Sequence, residues 1–395
     1  MRQPAFSNLI HDIVSSPAIV AIPAYNEAAQ VERCLAALAM QRDEAGAPVP
    51  SGAFEILIFA NNCSDATAEV ARAFATLVPH PVTVVEEQLQ PGTQSAGWAR
   101  KRAMDLAADR LADRGGAGII LTTDADSCVA PTWFAATMRE FDTGVDCVAG
   151  YIDANPFELV GLGRAFLGRG RLEDAYLRLV AEIYARCDAR AHNPWPNHRV
   201  SSGASLAVTL EAYTAIGGLP PRPVGEDAAL TETLDRAGFR VRHSMDVSVS
   251  TSCRLDGRAQ GGAADTMRLR HAEPDAPCDD DLEPALKATR RAIYRGWLRK
   301  LMSGSMPPAL PRGWRVPEAV TKNLLQPGLA FEDAWQRLCQ DSPILQRGEL
   351  LRPSDLPRQI EMANIILRQL RMPIRPPKIV QDDRRHPEEA LVSAA

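Results

Sequence analysis

The chain has no run of about 18 consecutive apolar residues, so no spanning helix is expected. Its first residues, MRQPAFSNLIHDIVSSP, lack the apolar core of a secretory signal. Cytoplasmic placement is the expectation. Contact with a membrane surface stays open, because a lipid substrate would have to be met from there. The eight cysteines include no Cys-x-x-Cys pair and show no regular spacing. That argues against a zinc module and against a disulfide framework. The formal charge of −5 is mild, and no dense basic stripe with interleaved aromatics appears, so no nucleic-acid partner is expected. No self-similarity at a period of about 20–50 residues marks a repeat protein.

What is present is an alternation. AIVAIP (18–23), FEILIFA (54–60), PVTVVEE (81–87) and AGIILTT (117–123) read as short apolar strands. Between them, Val31, Leu35 and Leu38, then Val70, Phe74 and Leu77, then a stretch from Ser95 to Leu111, carry helical spacing. Strands and helices alternating at this pace imply βαβ units and a mostly parallel sheet covered on both faces. Beyond residue 145 the reading is a strand at VDCVAGYI, a helix over 172–187, and a strand near 204–208. Two short strands within GFRVRHSMDVSVSTS follow. Residues 1–255 make the catalytic unit in this reading, with 256–281 a linker or active-site loop. Residues 282–375 form a helical extension broken at SMPPALPRGW, and 376–395 a disordered tail. The basic cluster Arg290, Arg291, Arg295, Arg299 and Lys300 shares a helical segment with Tyr294 and Trp297. It reads as a solvated or docking face, with a membrane surface or an anionic ligand as the alternative.

Ligands of such sheets bind beyond the strand carboxyl ends, where this chain keeps its polar peculiarities. IPAYNEA (22–28) leaves the first strand, and its plain reading is a helix start capped by Asn26. ANNCSDAT (60–67) leaves the second and offers amide groups that could read a base or a ribose. GWARKRAMD (97–105) puts Arg100, Lys101 and Arg102 near the third strand's end, where a diphosphate would want a cation. TTDADS (122–127) leaves the fourth. Asp and Ser favour a turn there, with Pro131 opening a helix. A hard divalent cation also wants one or two carboxylates plus phosphate oxygens. In an extended chain the i and i+2 side chains of Asp124 and Asp126 would point to one side. VGEDAAL (224–230) supplies a second acidic pair, Glu226 and Asp227, which fits a helix N-terminus or a general base.

In this order, over roughly residues 17–255, these segments resemble a family 2-type glycosyltransferase of the GT-A fold. The resemblance implies a Rossmann-like α/β sheet and a nucleoside-diphosphate sugar donor. It also implies Mn²⁺ or Mg²⁺ held by Asp124 and Asp126, with His243 or His271 as a candidate third ligand. Pro23, Tyr25, Glu27, Asn61, Asn62 and Asp124 would line the base and ribose pocket. Arg100, with Arg254 and Arg258 on the glycine-rich stretch TSCRLDGRAQGG, would meet the diphosphate. Asp227 would be the base with Glu226 beside it, acting in a single displacement with inversion. Gly203, in SSGASLAV, and the loop residues Trp195 and His198 would shape the acceptor pocket.

Asn61-Asn62 stands where the family commonly has Asp-Asp, so the donor base stays open. The Gln/Arg-rich motif and membrane helices of processive synthases are missing, which favours single transfer. The acceptor is a hydroxyl of a saccharide, a lipid-linked compound or a small molecule. The C-terminal helices would cover that pocket or form a homodimer. A sugar-phosphate nucleotidyltransferase would use a similar sheet, but calls for a Gly-rich basic loop where PAYNEA stands. A non-catalytic nucleotide-sugar binder is the other alternative.

Overall fold

The computed structural model describes residues 18–257, 261–305 and 328–372. Eight strands form one sheet in the order β3-β2-β1-β4-β7-β6-β8-β5. They are β1 (Ala18–Ala24), β2 (Glu55–Asn61), β3 (Val82–Glu87), β4 (Ile119–Thr122), β5 (Cys128–Val129), β6 (Cys147–Ala154), β7 (Leu206–Thr209) and β8 (Val241–Thr251). Strands β3, β2, β1 and β4 run parallel. β7 runs antiparallel between β4 and β6, and β6 and β8 are again parallel. The expected mixed α/β sheet flanked by helices is present.

Side chains alternate across a strand, and β1 feeds both faces accordingly. Ala18, Val20 and Ile22 pack on one side with α1 (Val31–Ala39), α2 (Thr67–Ala75) and α4 (Trp133–Asp142). Ile19 and Ala21 pack on the other with α3 (Ala96–Asp113), α7 (Leu210–Ala215) and α8 (Glu226–Arg236). Two-sided burial is why these strands read as continuous apolar runs rather than alternating ones. A third apolar cluster joins α6 (Gly163–Cys187) to α10 (Ala285–Met302) and α12 (Leu356–Leu370). A fourth joins α10 to α11 (Phe331–Asp341).

Several boundaries differ from the sequence reading. α6 begins nine residues before 172. Gly168 and Gly170 lie inside it, where helix–tertiary packing further along overrides their low propensity. The two strands expected in 238–252 are one, β8, bulged against β6 beside Gly150 and Tyr151. Its Ser244-Met245-Asp246 breaks the apolar alternation without ending the strand. Leu77 falls past the end of α2 and is exposed. α4 starts at Trp133 rather than Pro131, and α5 (Pro156–Gly161) and β5 were not anticipated. The expected 256–281 loop contains a helix, α9 (Ala263–Ala272). The stretch SMPPALPRGW lies mostly outside the described residues, and 376–395 wholly so. The basic segment is α10, and it is a docking face. Arg295 and Arg299 both pair with Asp188 at the end of α6, and Arg299 stacks on Phe331.

Candidate active site

The polar loops converge beyond the carboxyl ends of β1, β2, β4 and β8. Asn26 and Asn62 both adopt left-handed φ, 54° and 50°, a conformation Asn tolerates better than most residues. Asn26 is not the cap of α1. Its Oδ1 accepts from the N–H groups of Ser64 and Asp65, tying the first loop to the second. Asp65 returns the tie by accepting from Ala28 N–H at 3.1 Å. Asn62 spends its amide on residues 88 and 89, accepting from Leu89 N–H at 3.0 Å and donating to Gln88 Oε1 at 3.0 Å. Asn61 is buried, with an Oδ1 that has no hydrogen-bond partner among the described residues. Pro23 is half-buried and Tyr25 is 41% exposed at the rim.

The Asp-x-Asp segment is a turn closed by Ser127 N–H donating to Asp124 C=O at 3.0 Å. It is not an extended pair, and its two carboxylates meet different arginines. Arg100, 5% exposed on α3, reaches up through the sheet's end. It donates to Asp124 Oδ1 (2.7 Å), Glu226 Oε1 (3.0 Å), Thr122 Oγ1 (3.2 Å) and Gly203 C=O (3.0 Å). Burial works against its charge, but Asp124 and Glu226 hold its pKa above the ordinary value. With four partners and almost no exposure, Arg100 organises the site and is not a free phosphate ligand. Gly203 is glycine because a Cβ there would sit 2.1 Å from the Arg100 guanidinium carbon.

Asp126 meets Arg254 at 3.0 Å, and Arg254 clamps Glu27 with both nitrogens, one at 2.7 Å. Glu27 is 7% exposed and engaged in this clamp rather than lining a base pocket. Burial, then the charge of Asp124, raises the Asp126 carboxyl to about 7; Arg254 opposes this and Glu27 adds to it. Ser127 Oγ donates to Thr251 Oγ1 at 3.1 Å, fixing the turn to the end of β8. Arg258 lies outside the described residues.

On the other flank, Asp227 sits in the first turn of α8. Its Oδ2 accepts from Gly203 N–H at 3.0 Å and its Oδ1 from Ala228 N–H at 2.8 Å. Those two bonds fix the orientation of the carboxylate at the helix start. Glu226 Oε1, Arg100 and Asp124 link this flank to the turn as one buried network.

The histidine candidates fall elsewhere. His243 is buried, with Nε2 3.2 Å from Ser201 Oγ and its ring edge-on to His198 at 5.3 Å. It precedes Thr251 by eight residues of β8, a separation on the order of 20 Å even with a bulge. It is therefore no ligand of the Asp-x-Asp turn. His271 stands on α9, 6.4 Å from the Phe166 ring. Among the described residues no group of three or more His, Cys, Asp or Glu forms a metal cluster. The acceptor candidates Trp195 and His198 also move away. Arg242, at the start of β8, donates to the carbonyls of Pro194 and Pro196, holding this loop at the strand's amino end. Nε2 of His198 faces Ala149 C=O at 3.1 Å. His198 does line a cavity of about 860 Å³ that follows α8 from Ala228 to Arg236, against α6, α10 and α11. Arg199 enters it stacked on Tyr184.

A model of the glycosyltransferase-like family 2 matches residues 16–275. The chain belongs to that family. It is an enzyme of the glycosyltransferase class, as the expectation from its loops had it. Among curated proteins, glycosyltransferase AglE of Haloferax volcanii is 28% identical over 228 residues, covering 52% of this chain and 68% of its own length. Likenesses to solved structures are fainter. The mannosyltransferase PcManGT from Pyrobaculum calidifontis, in complex with GDP-Man and Mn²⁺, is 16% identical with a TM-score of 0.42, covering 91% of this chain and 83% of that one. Residues 1–349 of S. aureus TarS, in complex with UDP-GlcNAc, are 14% identical with a TM-score of 0.44, covering 89% and 91%. Likeness at that level decides nothing about the site. No described helix is long and apolar enough to cross a membrane.

The sequence carried no signal for three features of this candidate site. The Glu27–Arg254 clamp spans 227 residues. Thr122 and Thr251 act through hydrogen bonds that only the folded sheet creates.

Proposed function

We propose that this enzyme transfers a sugar from a nucleoside-diphosphate sugar to an acceptor hydroxyl by single displacement with inversion. The observation that carries the reading is the Asp124–Arg100–Glu226 bridge. It couples the Asp-x-Asp turn to the helix start that bears Asp227. One buried cation thereby fixes the spacing between a donor-side acid pair and a base.

A divalent cation fits the donor side. The available groups are all oxygen, as Mg²⁺ and Mn²⁺ prefer, and those ions take one or two carboxylates plus phosphate oxygens. Asp124 Oδ2 has no protein partner among the described residues, and three carboxylates, of Glu27, Asp124 and Asp126, gather around the single guanidinium of Arg254 and the sealed one of Arg100. Asp124 and Asp126 would hold the ion. When bound, it supplies Lewis-acid neutralisation of charge on the departing diphosphate.

Arg254, a quarter exposed at the same mouth, is the side chain placed to share that diphosphate charge. Asp227 takes the proton of the attacking hydroxyl, its carboxylate held ready by the two backbone N–H groups. Pro23, Tyr25 and Asn61 stand on the base side. Asn62, already bonded to residues 88 and 89, shapes that loop rather than reading the base. A nucleotidyltransferase finds less support, since the loop leaving β1 has neither glycine nor a basic residue between Ala24 and Gln30.

The test is Asp227→Asn, assayed for donor binding by thermal shift and for transfer by product detection. Transfer should fall by about 10²- to 10⁴-fold while the donor-induced shift persists. Undiminished transfer would remove Asp227 from the base role.

A further inference from the structure

We propose that the α5–α6 elbow docks the enzyme onto an anionic lipid surface, so that the acceptor is presented from that surface; the second clause rests on the transferase reading. The elbow follows β6 directly, on the side where the crevice opens. Asn155 N–H donates to Thr251 C=O at 2.8 Å. Glu158, inside α5, accepts from Ser252 Oγ and from Cys253 N–H, both at 2.7 Å. The next residue is Arg254, which holds Asp126. The elbow and the reaction site therefore share one rim.

Its outer surface is unlike the rest of the fold. Phe157 is 90% exposed, the highest value among the exposed large apolar side chains, and Val160, three residues on, is 69% exposed. Asn155 caps α5, accepting from the Phe157 and Glu158 N–H groups, so this display is a formed turn of helix. Along α6 the exposed positions at helical spacing are Arg164, Gly168, Arg171, Asp174, Ala175 and Arg178, with Asp174 the single acid among them. Arg164 and Arg171 have no carboxylate partner among the described residues. Arg178 lies near Tyr151, Asp153 and Asp174. Most other arginines among the described residues are paired, as Arg169 with Glu173 and Arg186 with Glu182 show on the same helix.

An apolar tip beside unpaired arginines, with small residues between them, matches a bilayer interface in two ways. The apolar pair enters the acyl boundary, and the cations meet anionic headgroups. Complementary charge favours an anionic bilayer over a neutral one. α10, the sequence's own candidate for such a surface, is occupied by Asp188 and Phe331.

The experiment is flotation of the full chain with vesicles of phosphatidylcholine alone or with 30 mol% phosphatidylglycerol, roughly the anionic density at which basic clusters respond. Wild type should float with the anionic vesicles, release with added salt, and stay behind with the neutral ones. Phe157→Glu/Val160→Glu and Arg164→Glu/Arg171→Glu should each lower partitioning by at least about tenfold, with melting temperature and donor hydrolysis unchanged. Wild type that ignores anionic vesicles overturns the proposal, as do both double variants floating like wild type. Donor hydrolysis reports on the transferase reading separately, so loss of one leaves the other standing.

Discussion

Two arginines in this site each bridge two acids, and they do different things. Arg100 joins Asp124 to Glu226 with 6% of its side chain exposed. Arg254 joins Asp126 to Glu27 with 25% exposed. The first is enclosed by a threonine hydroxyl and a glycine carbonyl as well, so four of its five N–H donors are engaged. The second hangs from the chain just after β8, at the open edge. A sealed guanidinium sets geometry and cannot also greet a substrate. One at the mouth can exchange a carboxylate for a phosphate at small cost. Sequence position suggested phosphate contact for both, and burial separates them.

The contrast breaks most visibly at Arg100. Arg100→Met leaves the buried carboxylate of Glu226 and the partly buried one of Asp124 without their cation, and unfolding free energy should drop by about 3–5 kcal/mol, measured by urea titration. A loss under about 1 kcal/mol would mean the bridge is no keystone.

Arg254→Ala should do the converse. Stability falls by about 1–3 kcal/mol, less than at Arg100, because Glu27 and Asp126 lose a partner that is itself partly exposed. Affinity for a nucleoside diphosphate falls roughly 10- to 100-fold, the worth of a charge-assisted bond. Calorimetry reads the second quantity. If stability collapses and affinity holds, the two arginines have been assigned the wrong way round.

A smaller effect concerns pH. Guanidinium groups keep their charge across the neutral range, so acid sensitivity should come from elsewhere. Burial lowers His80, His192 and His198 each to about 4, and lowers His243 well below its usual value. Between about 4 and 6.5 the unfolded chain binds protons that the folded one refuses, so their contribution is complete above 6.5 and lost on acidification. Asp126 acts in the opposite sense, because its raised carboxyl is protonated in the folded state first. Four imidazoles outweigh one carboxyl, so stability should fall from pH 7 to pH 5 in urea titrations. A rise would show that the acid cluster dominates.

How much of this was legible in the sequence follows from the same physics. The βα half could be read because two-sided burial imposes apolar runs of strand length, and because polar residues at strand ends stand out against them. Asp124, Asp126 and Asp227 were singled out that way. Side-chain partners were not legible. Nothing local says that Arg100 points inward or that Arg254 meets Glu27, since both depend on chain segments more than 100 residues apart. His243 and Trp195 were read into the site because residue type was weighed without knowing that one lies in β8 toward its amino end and the other in the loop held there by Arg242. The glycines of α6 hid its first turns, and with them the exposed elbow.

The central claim is that the turn at 124–126 holds a cation that in turn holds a donor diphosphate. The most direct measurement is calorimetric titration of UDP and GDP into wild type and Asp126→Asn, with Mn²⁺ and with chelator. The account predicts that at least one nucleotide binds wild type with Mn²⁺, and that chelator or the substitution removes this binding while far-UV circular dichroism stays unchanged. Equal nucleotide binding by both proteins in chelator would contradict it.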